Sequence, residues 1–528
     1  MLDAGTGRGA ERAVVVGAGI GGLSAAAALA AKGVETVVLE RRPTPGGKMR
    51  QVSVGGATLD AGPTVFTMRW VFDGLFEGAG AAFDDYVTLT RVDRLARHGW
   101  TDGARFDLHA DEETSVAAVG DFAGAAEAER FRRFRRAARD IYRTLKQAYI
   151  ADQKPNPLSL VGRVGLGRLG ALWRTRPFQT MAQALASELH DPKLRQLFGR
   201  YATYCGSSPY AAPATLMLVA HVELEGVWLV EGGMHQVARG VERLARARGA
   251  EFRYDAHVAE ILTEGGRVSG VRLEGGETIP AQTVICNGDV HALASGLFGE
   301  GVRSAVPPVP RAARSISAVV WSMNAAPQGF PLIRHTVFFD AGDYRREFDA
   351  LFRDRRTPDA PTAYVCAQDR GEDATGGPGP ERLHIHVNAP ADGDVGAPDD
   401  EEIARCATRS FELMRRCGLE VTAPEGASLL TTPRDFEALF PATGGALYGR
   451  ATHGAMGAFA RPAATTRVPG LFVAGGSAHP GAGVPMAAMS GRLAADAAFS
   501  AIALTKRSRP AAISGGMSTR SRTTDATR

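Results

Sequence analysis

The sequence lacks features that would place it in several other classes of protein. It has only five cysteines in 528 residues, at positions 205, 286, 366, 406 and 417, and no two form a CxxC pair. An odd number without metal-ligand spacing excludes a disulfide framework and a zinc pattern, and it fits a reducing cytoplasm. We therefore expect small, buried, apolar cysteines.

Long hydrophobic runs and an excess of one charge are also missing. No apolar stretch reaches the roughly 18 residues of a bilayer-spanning helix, and the polar N-terminus lacks the apolar core of a signal peptide. The 61 basic and 57 acidic residues leave a net charge of +4. This balance gives no reason to expect a nucleic-acid partner. Residues 505–528, rich in Ser, Thr and Arg, predict a disordered tail.

The first forty residues predict a βαβ unit, and therefore an α/β fold. Residues 13–16 and 36–40 are typical of buried parallel strands, and the alanine-rich residues 24–31 predict the helix between them. Further along, two more apolar strands are predicted at 283–286 and 471–474. We also predict a helix over 233–249, one strand over 251–263 and a long loop over 371–400.

The turn after the first strand carries the glycine motif of a dinucleotide site, GAGIGG at residues 17–22. Gly17 permits the tight turn, Gly19 lets a pyrophosphate approach the backbone, and Gly22 lets the helix pack close to the strand. The helix N-terminus offers free N–H groups to phosphates. Glu40 ends the second strand and can accept hydrogen bonds from a ribose diol. This motif does not separate NAD from FAD.

Further glycine-rich segments separate these two cofactors. They are PGGK at 45–48, GGATLDAGPT at 55–64 and GLFVAGGSAHPGAGV at 470–484. The first two resemble the flavin-containing amine oxidase and carotenoid desaturase superfamily. The third is similar to the C-terminal signature of phytoene-desaturase-type enzymes. The resemblance runs from about residue 12 to residue 499.

The resemblance implies FAD, held without a covalent bond in a Rossmann-like domain. This domain would combine residues 12–90, 225–290 and 430–500. Residues 91–224 and 291–429 would form a mixed α+β substrate domain with a helical membrane-associating region. The residues implied to bind FAD, beside Gly17, Gly19, Gly22 and Glu40, are Lys48, Gly62, Val258, Gly475, Gly476 and Val484. Lys48 would neutralise phosphate charge, although a solvated lysine is the alternative.

The catalytic residues are less well defined. His479 is either an acid/base or, as we expect, a residue that orients the turn of its motif. Arg345 lies in DYRREF, and the resemblance implies an arginine near the flavin ring. An arginine cannot act as a base, but it could orient the substrate or stabilise charge; a surface arginine in a salt bridge is the alternative. Some relatives have a carboxylate in the segment that aligns with 161–170, and this sequence has none there. A catalytic base therefore stays open.

Two segments favour one branch of the carotenoid desaturases. Residues 60–72 and 201–210, with GVW at 226–228, resemble 1-hydroxycarotenoid 3,4-desaturases. The resemblance implies that a C3–C4 double bond is introduced into a 1-hydroxylated acyclic carotenoid. The alternatives are a phytoene-type desaturase, an amine oxidase and a non-enzymatic prenyl-binding protein on the same fold. The electron acceptor stays open between a quinone and oxygen.

A basic and apolar segment predicts how such a substrate arrives. Residues 153–187 contain no acid. We expect residues 154–178 to dock on an anionic bilayer, which would place the protein in the cytoplasm at the inner membrane. Packing on the protein's own core is the alternative. The cations are Lys154, Arg163, Arg168, Arg174 and Arg176, among Leu158, Leu160, Val161, Leu166, Leu169, Leu172, Trp173 and Phe178.

Overall fold

A five-stranded parallel sheet lies at the centre of one half of the molecule. The computed structural model describes residues 12–508 except 154, 166, 168, 372–375 and 378. Parallel strands covered on both faces need nearly continuous apolar runs, and the central strand has them, with Val14 and Val15 fully buried. The strand order is Leu471–Val473, Thr283–Cys286, Arg12–Val16, Glu35–Leu39 and Glu251–Arg253.

The two faces of this sheet are covered differently. One face packs on the helices Ile20–Ala31, Trp70–Gly78, His235–Ala247 and Val484–Ser508. The other face packs on an antiparallel sheet of Val258–Glu264, Arg267–Leu273 and Thr278–Pro280. A hairpin of Gln51–Val54 and Ala57–Asp60 follows the second parallel strand.

A larger sheet of eight strands lies at the centre of the other half of the molecule. Its order is Leu419–Thr422, Ser317–Gly329, Glu381–Ala389, Ala363–Ala367, His335–Phe339, Arg94–Trp100 and Arg105–His109, and Ser428–Thr431 also pairs with Ser317–Gly329. Pairing is antiparallel except between His335–Phe339 and Arg94–Trp100. The helix Asp400–Arg416 packs on one face.

A group of helices adjoins this sheet. Gly124, with a φ of +92°, separates the first two of them, because a residue without a side chain adopts this backbone at little cost. The helices are Glu112–Ala123, Ala125–Leu145, Pro157–Val164, Leu169–Arg174, Met181–Glu188, Pro192–Gly199 and Leu218–Glu225. Shorter elements include Leu89–Arg91, which pairs with Trp228–Val230, and the helices Val290–Ala294, Arg345–Asp349 and Pro433–Leu439. No helix within the described part of the chain is both long and apolar enough to cross a bilayer.

Three local predictions were wrong. The strand predicted over 251–263 is two strands in different sheets, because Asp255 at a φ of +52° turns the chain. The loop predicted over 371–400 contains the strand Glu381–Ala389, which pairs with Ser317–Gly329 on one side and with Ala363–Ala367 on the other. The last helix continues to Ser508, beyond the predicted start of the tail; residues 509–528 lie outside the described part.

The other predicted strands of the parallel sheet are confirmed. They differ from the observed ones by one residue or less at each end. All of them fall within the segments 12–90, 225–290 and 430–500, although the division into domains itself stays a prediction. Four of the five cysteines are buried, as expected, and Cys205 is half-buried.

Candidate active site

One mostly apolar cavity of about 1040 Å³ lies between the two halves. Its lining starts at the carboxyl ends of the parallel strands, where open α/β sheets bind their ligands, and reaches the inner face of the larger sheet. Nine of the ten residues predicted to bind FAD line this cavity. The exception is Gly22, whose added Cβ would collide with the Gly17 carbonyl oxygen, as its packing role requires.

Glu40 marks one end of the cavity. Its buried carboxylate accepts hydrogen bonds from the backbone N–H of Ala18 at 2.7 Å and of Arg42 at 3.0 Å. These contacts fix the carboxylate beside the glycine turn, where Gly17 has a φ of +96°. Val258, at the start of the strand Val258–Glu264, also faces the cavity. A carboxylate held in this way suits a ribose diol.

Asn287 joins the two glycine-rich segments, and the sequence reasoning did not identify it. A Cβ added at Gly19 would lie 2.6 Å from Nδ2 of Asn287, and one at Gly21 would lie 2.9 Å from Cα of Gly475. Glycines are therefore required because the two turns meet across this side chain. The signal in the sequence was the Asn-Gly pair at the end of the strand Thr283–Cys286.

The second glycine-rich segment borders the same space. Gly475 has a φ of +111° and donates its N–H to Oγ of Ser490 at 3.3 Å. The helix that starts at Val484 presents its first residues to the cavity. Its free N–H groups and positive dipole end favour negative charge there.

Two cations lie beside these turns, the half-buried Lys48 and the buried Arg461. Lys48 donates from Nζ to the Leu447 carbonyl oxygen at 2.6 Å, and Arg461 donates to the carbonyl oxygens of Gly476, Tyr448 and Arg450 at 2.7, 3.0 and 2.7 Å. Burial lowers the pKa of both side chains. Cations bound to neutral carbonyls leave a positive surplus, which fits the phosphates and ring of a flavin dinucleotide.

Neither His479 nor Arg345, the two residues considered for catalysis, is placed for that role. The Nε2 atom of His479 lies 3.0 Å from the Asp152 carbonyl oxygen, and burial lowers the pKa of His479 to about 4, so it connects the turn to another segment. Arg345 is exposed and stacks on Tyr210, with Cζ 4.2 Å from the ring centre. It does not belong to the cavity lining, which does not fit the catalytic role considered for it.

A polar cluster lies where the cavity meets the helices. The carboxylate of Glu223 accepts hydrogen bonds from the hydroxyls of Tyr201 and, at 3.0 Å, Tyr204. The Arg200 guanidinium donates to Tyr204 at 3.2 Å. Burial raises the pKa of Glu223. Three members of this cluster line the cavity, namely Arg200, Tyr204 and Glu223.

The inner face of the larger sheet forms the opposite wall. Tyr364 has its hydroxyl 2.6 Å from Oγ1 of Thr64 and 2.7 Å from Nδ1 of His335. Thr64 belongs to the predicted flavin segment, so this wall lies next to it. The same wall carries His384, His386 and Asn388.

The helices Pro157–Val164 and Leu169–Arg174 surround one opening of the cavity. Leu169, Trp173 and Phe178 line the cavity yet are 43%, 73% and 78% exposed. Leu158, beside them, is 86% exposed. We call these four residues the mouth. These four side chains do not pack on the protein's own core, whereas Leu160 of the same segment does. Lys154, Leu166 and Arg168 lie outside the described residues.

Comparisons with known proteins agree with this arrangement. Residues 20–498 match the family of flavin containing amine oxidoreductases. The chain is 54% identical to hydroxyneurosporene desaturase of Rubrivivax gelatinosus, over 97% of this chain and 98% of that protein. It is 32% identical to zeta-carotene-forming phytoene desaturase of Myxococcus xanthus, over 92% and 93%. A solved structure of putrescine oxidase bound to putrescine shares the fold, with a TM-score of 0.56 at 16% identity, over 94% of this chain and 99% of that one.

The chain belongs to the flavin containing amine oxidoreductase family. It is a flavin-dependent oxidoreductase with FAD as cofactor, and the glycine turns, Glu40 and the two cations have the chemistry that FAD requires.

Proposed function

We propose that the protein desaturates an acyclic carotenoid and forms the C3–C4 double bond of a 1-hydroxylated chain. The observation that carries this proposal is the apolar cavity that joins the flavin segments to an exposed apolar mouth. A long hydrocarbon can enter such a cavity while its end reaches the flavin. The names of the similar proteins point to the same chemistry.

We assign the residues that line the first end of the cavity to FAD. Gly17, Gly19 and Glu40 would hold its adenosine and pyrophosphate, and Gly475 and Gly476 would lie against its ring. When bound, FAD supplies the two-electron oxidant that takes a hydride from the substrate. The mostly apolar lining binds the polyene and excludes water from the reacting carbons.

The proton that leaves the neighbouring carbon needs an acceptor. Glu223 is the carboxylate on the substrate side of the cavity, and burial raises its pKa. A carboxylate in this state takes up a proton near neutral pH more readily than an exposed one. Tyr201 and Tyr204 hold it in place through their hydroxyls.

We also propose that the mouth docks on an anionic bilayer at the cytoplasmic face of the inner membrane. Apolar side chains that are exposed in water are stabilised when they enter an interface. Arg174, exposed beside them, adds a charge for anionic lipid. Arg163 pairs with Asp152 at 2.7 Å and Arg176 pairs with Glu188 at 2.5 Å, so both contribute less free charge than the sequence suggested.

The substrate is tested by turnover of phytoene, neurosporene and 1-hydroxyneurosporene, monitored by the red shift of the polyene absorbance. We expect the hydroxylated chain to react most efficiently. Efficient turnover of phytoene with little reaction of the hydroxylated chain would assign the protein to the phytoene branch. A purified protein without flavin absorbance would favour the non-enzymatic prenyl-binding alternative, and turnover of amines would favour an amine oxidase.

A further inference from the structure

The strand Glu381–Ala389 places polar side chains in a largely apolar wall. Side chains alternate between the two faces of a strand. Leu383, Ile385 and Val387 pack into the core between the sheet and the helix Asp400–Arg416. The alternate residues His384, His386 and Asn388 face the cavity. Apolar residues would fill these positions more simply, so the polar side chains need an explanation.

Neither imidazole makes a hydrogen bond within the described part of the chain, although the His386 ring packs on Tyr364 and on His384. Nδ1 of His384 is buried without a hydrogen-bond partner, and no hydrogen bond acts on the pKa of either ring. Asn388, by contrast, donates to Oε1 of Glu347 at 2.9 Å. A buried polar group without a partner is costly, which indicates that His384 and His386 meet a polar group that is part of a ligand.

Both imidazoles are neutral at physiological pH. Burial lowers the pKa of His384 to about 4 and that of His386 well below its ordinary value. A neutral imidazole has one N–H donor and one nitrogen acceptor. One donor and one acceptor match an alcohol, which also donates one hydrogen bond and accepts others. A neutral imidazole also avoids a buried charge beside a hydrocarbon.

The position of the pair fits the reacting end of the substrate. His386 lies opposite Tyr364 in the strand register, and Tyr364 is bonded to Thr64 in the predicted flavin segment. In a 1-hydroxylated carotenoid a single CH2 group separates the hydroxylated C1 from C3. Whatever recognises the hydroxyl must therefore lie close to the reacting bond, on the wall that faces the flavin.

We propose that His384 and His386 recognise the tertiary hydroxyl and so place the C3–C4 bond at the flavin. This inference rests on the proposed function. An apolar tunnel measures chain length poorly, because one methylene changes binding by only about 1–3 kcal/mol. A polar pair beside the flavin defines the position directly, and it rejects a chain without the hydroxyl because the imidazoles then stay unsatisfied.

The test compares the FAD-loaded wild type with His386→Leu, His384→Leu and the double variant. The readout is the ratio of kcat/KM for 1-hydroxyneurosporene to that for neurosporene. We expect each single variant to lower this ratio by roughly 10- to 100-fold, mainly by slowing the hydroxylated chain. His386→Asn is the matched control, because an amide also donates and accepts and should retain more of the ratio than leucine does.

Equilibrium binding of the two carotenoids to the same holoenzymes gives a second readout that does not depend on turnover. Preferential binding of the hydroxylated chain that disappears in the double variant supports the inference. An unchanged ratio and an unchanged preference would overturn it, and altered flavin content or flavin absorbance in that case would assign the histidines to the cofactor. A wild type that prefers phytoene in turnover instead contradicts the proposed function.

Discussion

The two halves of the cavity are built by different means. At the dinucleotide end, backbone segments approach closely because Gly21 and Gly22 have no side chains: an added Cβ would lie 2.9 Å from Cα of Gly475 or 2.1 Å from the Gly17 carbonyl oxygen. At the substrate end, side chains from distant segments meet, as Thr64 and Tyr364 do across 300 positions. A site formed by close backbone contacts therefore appears in the sequence as a local glycine motif. A site formed by side chains depends on how distant strands pair, and it leaves no such motif.

The two halves also differ in how they treat buried charge. Lys48 and Arg461 contact only neutral carbonyls by hydrogen bond, and they leave a positive surplus for an anionic cofactor. In the other half Arg370 pairs with Glu381 at 2.6 Å, and Glu347 binds Thr362 and Asn388. These charged groups are satisfied by their own partners and lie outside the cavity lining, so they do not place a charge beside a hydrocarbon.

The largest effect is expected from Gly19→Val at the backbone-built end. The new Cβ would lie 2.6 Å from Nδ2 of Asn287 and force that side chain out of the junction. Such overpacking costs about 1–3 kcal/mol, and FAD affinity should fall by at least roughly 10- to 100-fold. Flavin absorbance per purified protein measures this. Gly78→Ala, at a helical glycine with open space around it, is the control; full flavin content in Gly19→Val would contradict the assignment.

A second prediction concerns the substrate end of the cavity, and in particular how the free energy of unfolding changes at acid pH. Burial lowers the pKa of His384 to about 4, while an unfolded histidine titrates near 6.5. The stability from the neutral ring is present above about pH 6.5 and is lost as pH falls toward 4, because the unfolded chain binds the proton first. His384→Leu should reduce this loss by up to ~3 kcal/mol.

Urea unfolding of the holoenzyme near pH 7 and near pH 4.5 measures the difference. His190→Asn, which replaces an exposed histidine, is the control. An equally steep loss in His384→Leu would show that this histidine does not remain neutral in the folded protein.

Substitutions in the mouth should have a smaller effect, and the property they change is binding to membranes. Trp173→Ser and Phe178→Ser remove side chains that are 73% and 78% exposed. Each should weaken binding to anionic liposomes by roughly 10-fold, since partial burial of an aromatic ring is worth about 1.5 kcal/mol. Arg174→Glu should matter less at high salt. Sedimentation with liposomes measures this, with Leu297→Ser, at a 50% exposed position, as control; unchanged sedimentation would remove the docking proposal.

The smallest effect is expected from Arg345→Ala. The variant loses a stacking contact with Tyr210 outside the cavity, which is worth about 0.5–1 kcal/mol of stability. We expect kcat/KM to change by less than about 3-fold. A loss of two orders of magnitude with normal flavin content would restore the catalytic role that the sequence suggested.

The sequence predicted the parallel sheet and most of the cofactor end, but not the substrate wall. Residues 371–400 looked like a loop because Gly, Pro and Asp are dense there, yet Glu381–Ala389 pairs with strands on both sides. Tertiary pairing outweighed local propensity, as is common for strands. Asn287 was missed because its contacts with Gly19 and Gly475 lie far away in sequence. Arg461 was missed because it binds backbone carbonyls, which any residue can offer and no sequence pattern marks.

The sequence by itself determined the glycine turns, Glu40 and the strands between them, because these features depend on backbone shape and short spacing. It also determined the family, through those same motifs. Only the tertiary structure decided that Arg345 lies outside the cavity, that the mouth is exposed and that His384 and His386 line the cavity. The register between paired strands decides which side chains of a strand face the cavity, and no local sequence pattern encodes that register.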